Sequence, residues 1–140
     1  MEMPLVAEGL RKLAMLARLI STGVLLEKGY LLWDEPETNL NPKLIKVLAR
    51  SILTLCQQGI QVFIATHSLF LMRELEMLLK EDQFRHIPHR FLALKAAEAG
   101  TPTVLEQSED LYGIQTLVLL DEELRQSDRF MAAEGLHARD

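Results

Sequence analysis

The stretch Tyr30-Leu31-Leu32-Trp33-Asp34-Glu35-Pro36-Glu37-Thr38-Asn39-Leu40-Asn41-Pro42 decides how this chain is read. Leu31, Leu32 and Trp33 form a short apolar run that ends in two acids. That pattern predicts a strand buried on both faces whose carboxyl end opens into a site. Pro36 keeps the strand from continuing. Asn41 is a good cap ahead of Pro42, whose missing N–H would have no partner in the first turn of a helix. Leu44, Ile45, Leu48, Ile52 and Leu55 supply the inward stripe of that helix, and Gly59 marks its end. The next apolar run, Gln61 to Ala65, predicts a second buried strand that delivers Thr66, His67 and Ser68 to its carboxyl end. Ser68 then caps a helix over about 69–80, with Leu71, Leu75, Leu78 and Leu79 turned inward.

Outward from this centre, Leu10, Leu13, Ala14, Ala17 and Ile20 keep helical spacing while Arg11, Lys12 and Arg18 fall off the stripe. Residues near 9–20 read as an amphipathic helix, with Gly23 as its stop. The alternation of helix and strand favours a parallel α/β layer architecture. The second half differs. Arg90 to Lys95 and Thr103 to Gln107 predict a hairpin around the turn-prone Ala99-Gly100-Thr101-Pro102, and Ile114, Leu117, Val118 and Leu124 predict a last helix. With 140 residues, the chain is expected to form one lobe with a real core.

The net charge of −5 gives no basic footprint, so charge balance lends no support to DNA binding. Lys43, Lys46 and Arg50 read as the solvent row of an amphipathic helix. The N-terminus lacks a basic segment leading into an apolar one, and no apolar run is long enough to span a bilayer, so a cytoplasmic, membrane-free protein is expected. The one cysteine, Cys56, reads as a core residue. Trp33 reads as a packing residue, and His86 and His89 as part of a solvated basic loop.

Open α/β sheets bind ligands beyond the carboxyl ends of their strands, where Asp34-Glu35 and Thr66-His67-Ser68 both lie. Phosphoryl transfer to water needs Mg²⁺ held on the phosphates, a water aligned for attack, and charge stabilised on the γ-phosphate. A strand-end Asp34 suits Mg²⁺, which keeps most of its waters and prefers oxygen ligands. Glu35 has a longer arm and can act as general base on the attacking water. His67 can hydrogen-bond the γ-phosphate.

The order and spacing of these residues resemble the Walker B, D-loop and switch-histidine series of ATP-binding-cassette-type ATPases. The similarity is strongest to the non-transporter, AAA-type branch that includes chromosome-maintenance, recombination-repair and overcoming-lysogenization-defect proteins. The resemblance implies the C-terminal lobe of a P-loop NTPase-type fold, a partial parallel sheet flanked by helices and followed by a C-terminal hairpin and helix. It implies a signature-like helix at 5–22, Walker B at 30–35, the D-loop at 39–42, a switch-histidine strand at 61–67, and the hairpin and last helix at 90–132. Asp34 is then the Mg²⁺ ligand, Glu35 the catalytic base and His67 the switch histidine, with ATP as substrate and Asn39 and Asn41 in the D-loop.

Two departures qualify the resemblance. Ala7-Glu8-Gly9 stands where the family's signature segment closes over a γ-phosphate from a helix N-terminus, and Ala7 replaces its serine. A lost hydrogen bond to a charged group weakens such binding by about 1.5–3 kcal/mol. The larger departure is the Gly-x-x-x-x-Gly-Lys-Ser/Thr loop, which supplies the amide nest and lysine for the phosphates and is found nowhere in the 140 residues. Weak or undetectable ATP binding by the chain alone is expected. A domain fragment, a split gene product and a degenerate subunit all fit this pattern. The family's fold places the loop-bearing strand beside the one ending in the switch histidine, so Gln61 to Ala65 should offer an open edge. Self-association through that edge, or pairing with a Walker A-bearing polypeptide, is expected. The rival expectation is a non-catalytic interaction subunit that keeps the lobe scaffold. What a cycle would drive is open between DNA, a nuclease partner and a toxin partner.

Overall fold

The computed structural model describes residues 3–95, 104–114, 122 and 125–132, with the side chains of residues 3–10, 13, 26, 95 and 104 excepted. The chain divides into two compact units, Met1–Pro88 and His89–Asp140. In the first, helix α1 spans Met3–Ser21 and a short α2 spans Val24–Lys28. Strand β1 is Tyr30–Asp34, α3 is Pro42–Gln57, β2 is Gln61–Ala65 and α4 is Leu69–Leu79. In the second, β3 is Phe91–Lys95 and β4 is Val104–Ser108. The unit is thus mixed α/β with a parallel strand pair flanked by helices, consistent with a partial P-loop NTPase-like fold. Among the described residues no helix is long and apolar enough to cross a membrane.

Helix α3 starts where its sequence says it should. Asn41 is extended, and its side-chain oxygen accepts the Leu44 N–H at 3.0 Å, while Pro42 fills the first turn. Ser68 does the same for α4 by accepting the Leu71 N–H at 3.2 Å. These bonds satisfy amide hydrogens that a helix start otherwise leaves unpaired. Helix α2, tucked between Gly23 and Gly29, both with positive φ, was not foreseen in the sequence. Its five residues are too few to show an amphipathic period.

β1 and β2 pair in parallel, Tyr30 opposite Gln61 through Asp34 opposite Ala65, with α3 as the crossover. Leu16 of α1, Leu25 of α2 and Leu55 of α3 form a core with Ile60, and Leu31, Trp33 and Val62 pack against it. Trp33 is therefore a packing residue. A second apolar layer lies where α3 meets α4, burying Leu48 and Ile52 on one side and Leu71 and Leu75 on the other.

One expectation is corrected. The strands were read as buried on both faces, but exposure alternates along each, and Tyr30, Leu32 and Phe63 stand open, Leu32 at 69%. The helices that cover the sheet pack on its Leu31–Trp33–Val62 face, and with only two strands no described element covers the other. Among the described residues the outer edge of β2 also has no strand partner.

In the second unit β3 and β4 pair antiparallel, Phe91 opposite Ser108 and Lys95 opposite Val104. A 3₁₀ turn at Leu111–Gly113 follows, capped by Asp110, whose carboxylate accepts the Gly113 N–H at 2.6 Å. The hairpin turn at 99–102 lies outside the described residues. So do Leu117, Val118 and Leu124 of the expected last helix, of which Glu122 and residues 125–132 are described as helical.

Candidate active site at the strand ends

Parallel pairing puts the carboxyl ends of β1 and β2 side by side, and both polar clusters lie there. The Glu35 N–H donates to the Ala65 carbonyl at 2.8 Å, extending the ladder one residue past β1. Glu35 itself has φ 47, in the left-handed region that a non-glycine residue occupies at a cost of about 1–3 kcal/mol. The chain turns there, and the Glu35 carboxylate meets His67 Nδ1 at 2.5 Å. With an ionised Glu35 as acceptor, Nδ1 is the donor and Nε2 is left for another partner. His67 is mostly exposed and Glu35 less so, at side-chain exposures of 78% and 30%. The pair faces solvent at one side and the turn at the other.

The rest of the turn is held closely. Thr38 N–H donates to Glu35 O at 3.2 Å and Leu40 N–H to Glu37 O at 2.9 Å. Asn39 also takes a positive φ, 65, which asparagine tolerates better than most residues. Lys12 reaches from α1 to donate to the Thr38 carbonyl at 2.8 Å. Pro36 is fully buried beneath.

Glu37 is buried. Its Oε1 accepts a hydrogen bond from the Thr66 hydroxyl, and Thr66 Oγ1 in turn accepts the Ser68 N–H at 2.9 Å. Its Oε2 is buried with no hydrogen-bond partner among the described residues, a state that costs about 1–3 kcal/mol. The sequence places Thr66 at the strand end but does not show its bond to Glu37, and it gives Glu37 and Lys12 no part in the site. No local signal separates a buried glutamate from a solvated one in a polar turn.

The predicted residues are placed as follows. Asp34, Glu35 and His67 share one sheet end, with Asp34 exposed. Asn39 is exposed in the turn, and the Asn41 side-chain oxygen is engaged in capping α3. Ala7, Glu8 and Gly9 lie inside α1, in its second turn, rather than ahead of a helix start. An open depression of about 330 Å³ runs along the uncovered sheet face between Leu32, Asp34, Phe63 and Ala65. Among the described residues no group of three acidic, histidine or cysteine side chains could hold a metal by itself. Asp34 alone fits a Mg²⁺ ion held mainly by water and phosphate oxygens. Two of the basic residues on α3 are engaged in ion pairs, Lys46 with Glu74 at 3.8 Å and Arg50 with Glu81 at 3.3 Å.

A family model described as "AAA domain, putative AbiEii toxin, Type IV TA system" matches residues 1–73, just over half of the chain. The match takes in both strands, the turn and the Thr66–Ser68 loop. No curated protein and no solved structure matches the chain.

Proposed function

The chain belongs to the AAA domain family, and on that premise we propose that residues 30–68 form the hydrolytic half of an ATPase site completed by a phosphate-binding loop from another stretch of polypeptide. The observation that carries this reading is the Glu35–His67 contact at the carboxyl ends of two adjacent parallel strands. Position and residue types both suit phosphoryl transfer. Similarity to the ATP-binding-cassette branch of such ATPases supplies the finer roles.

Asp34 would hold Mg²⁺ from the end of β1, its exposed carboxylate giving one oxygen to an ion that keeps several waters. When bound, that ion offsets charge on the β- and γ-phosphates. Glu35 accepts a proton from the attacking water through the carboxylate oxygen that His67 leaves free. The left-handed backbone at Glu35 aims its side chain across the sheet end toward His67. His67 in its charged form donates from both ring nitrogens, so Nδ1 can stay on Glu35 while Nε2 meets the γ-phosphate. Asn39 and Asn41 would form the D-loop beside it. Ala7, Glu8 and Gly9 would give the signature contact to nucleotide in a facing lobe only with the first turns of α1 undone, since inside the helix their N–H groups bond within it, and the missing serine hydroxyl weakens that contact further.

The loop-bearing strand would seat on the outer edge of β2, which has no strand partner among the described residues. The open edge and the uncovered Leu32–Phe63 face also favour a second reading, a non-catalytic subunit that uses this scaffold to bind a protein partner.

Calorimetric titration of the chain with Mg²⁺·ATP tests the first reading. No measurable binding alone is expected, with binding appearing when a lobe that carries the loop is added, together with slowed amide exchange at Val62 to Ala65. Tight binding by the chain alone would refute the missing-cradle argument. Slowed exchange without nucleotide binding in any pairing would favour the scaffold.

A further inference from the structure

The Glu37–Thr66 contact is used by neither strand pairing nor helix capping, and it links the two segments that form the site. Glu37 lies two residues after Glu35, and Thr66 lies immediately before His67. The Thr66 hydroxyl donates to Glu37 Oε1 while its oxygen receives the Ser68 N–H at 2.9 Å. A hydroxyl can do both at once, since it carries one donor and two acceptor sites. His67 is flanked by these two bonds, and its own ring is mostly exposed and, among the described residues, held by Glu35. An exposed side chain on a three-residue loop has many rotamers and backbone settings open to it, and bonds to its neighbours restrict them.

We propose that Glu37 is a positioning residue that acts through Thr66 to fix the Thr66–Ser68 loop and so hold His67 on Glu35. The proposal rests on the ATPase reading for its significance in catalysis, but its structural content stands on the chain alone. A carboxylate tied from inside the turn orients the loop without competing for the ligand side of the site. The anchor is stiff on the Glu37 side, because the same residue's carbonyl accepts the Leu40 N–H and Pro36 beside it is fully buried. Lys12 clamps the following peptide at Thr38.

The test reads the His67 ring resonance in the unliganded chain, with Glu35→Ala as the reference for a ring that has lost its partner. Thr66→Val removes the hydroxyl and keeps the side-chain shape, and it is expected to move the resonance most of the way to the Glu35→Ala position. Thr66→Ser keeps the hydroxyl and should leave it near wild type. Glu37→Gln retains an acceptor for Thr66 and should also stay near wild type, whereas Glu37→Met should behave like Thr66→Val. An unmoved resonance in Thr66→Val, or equal displacement in Thr66→Ser, would overturn the positioning role even if Glu37→Met fails to fold. In a complex with a loop-bearing lobe, Thr66→Val should lower kcat on the order of tenfold or more with KM little changed, because a misaligned group costs rate more than binding. The resonance is read without nucleotide, so an unmoved signal defeats the positioning role alone. Absence of turnover by the wild-type pair would defeat the catalytic reading instead.

Discussion

Among the described residues the two compact units contain two strands each, arranged in opposite ways. In the first, β1 and β2 run the same way, so Asp34–Glu35 and Thr66–His67, about thirty residues apart in the chain, finish at one edge. In the second, β3 and β4 are antiparallel, so each end of the hairpin combines the start of one strand with the finish of the other. Parallel pairing is slower to form and needs a crossover helix, and it gathers chemistry in return. The units also differ in cover. α3 and α4 bury Leu48, Ile52 and Leu71, while the hairpin leaves Leu92, Leu94 and Leu105 more than half exposed.

If the first unit is a packed core and the hairpin an open one, substitutions should separate them sharply. Phe84 is fully buried, and Phe84→Ala is expected to lower stability in urea by about 3–5 kcal/mol through lost burial and a residual cavity. A loss near that expected at an exposed position would break the comparison. Asn41→Ala should cost about 1 kcal/mol, with Asn41→Asp restoring most of it, because either side chain accepts the Leu44 N–H. No change would mean that α3 owes its start to Pro42 alone. Burial pushes the Cys56 thiol above its ordinary value, outweighing backbone hydrogen bonds that lower it. The folded protein therefore favours the protonated thiol. This contribution is complete below the unfolded thiol value of about 8.5 and is lost as pH rises through the folded one. The urea midpoint difference between wild type and Cys56→Ala should shrink toward alkaline pH, and a difference independent of pH would place the thiol in solvent. At the small end, Leu94→Ala in the hairpin should stay within about 0.5 kcal/mol. A large loss there would show that the hairpin is covered in solution.

Much of the first unit was legible because its signals are local. Asn41 and Ser68 announce their helices by side-chain chemistry that needs nothing distant, and Pro36 ends β1 by geometry alone. The apolar runs Leu31–Trp33 and Gln61–Ala65 located the two strands of the first unit but misjudged their cover. Apolar residues such as Leu32 and Phe63 state a wish for burial, not whether a neighbour exists to provide it. The meeting of Glu35 with His67 followed from strand order. The Glu37–Thr66 bond did not, because it joins side chains 29 residues apart and depends on how the turn after Glu35 folds. Likewise the resemblance put Ala7, Glu8 and Gly9 at a helix N-terminus, whereas α1 begins at Met3 and takes all three into its second turn.

The central claim is that Glu35 and His67 make one half of a working site. It is tested most directly by ATP turnover in a mixture of this chain with a lobe that carries the phosphate-binding loop, comparing wild type with Glu35→Gln. The account predicts turnover that requires both components and falls by about 10²–10⁴-fold in Glu35→Gln, the usual contribution of a general base. Turnover unchanged by Glu35→Gln, or equally high without this chain, would contradict it.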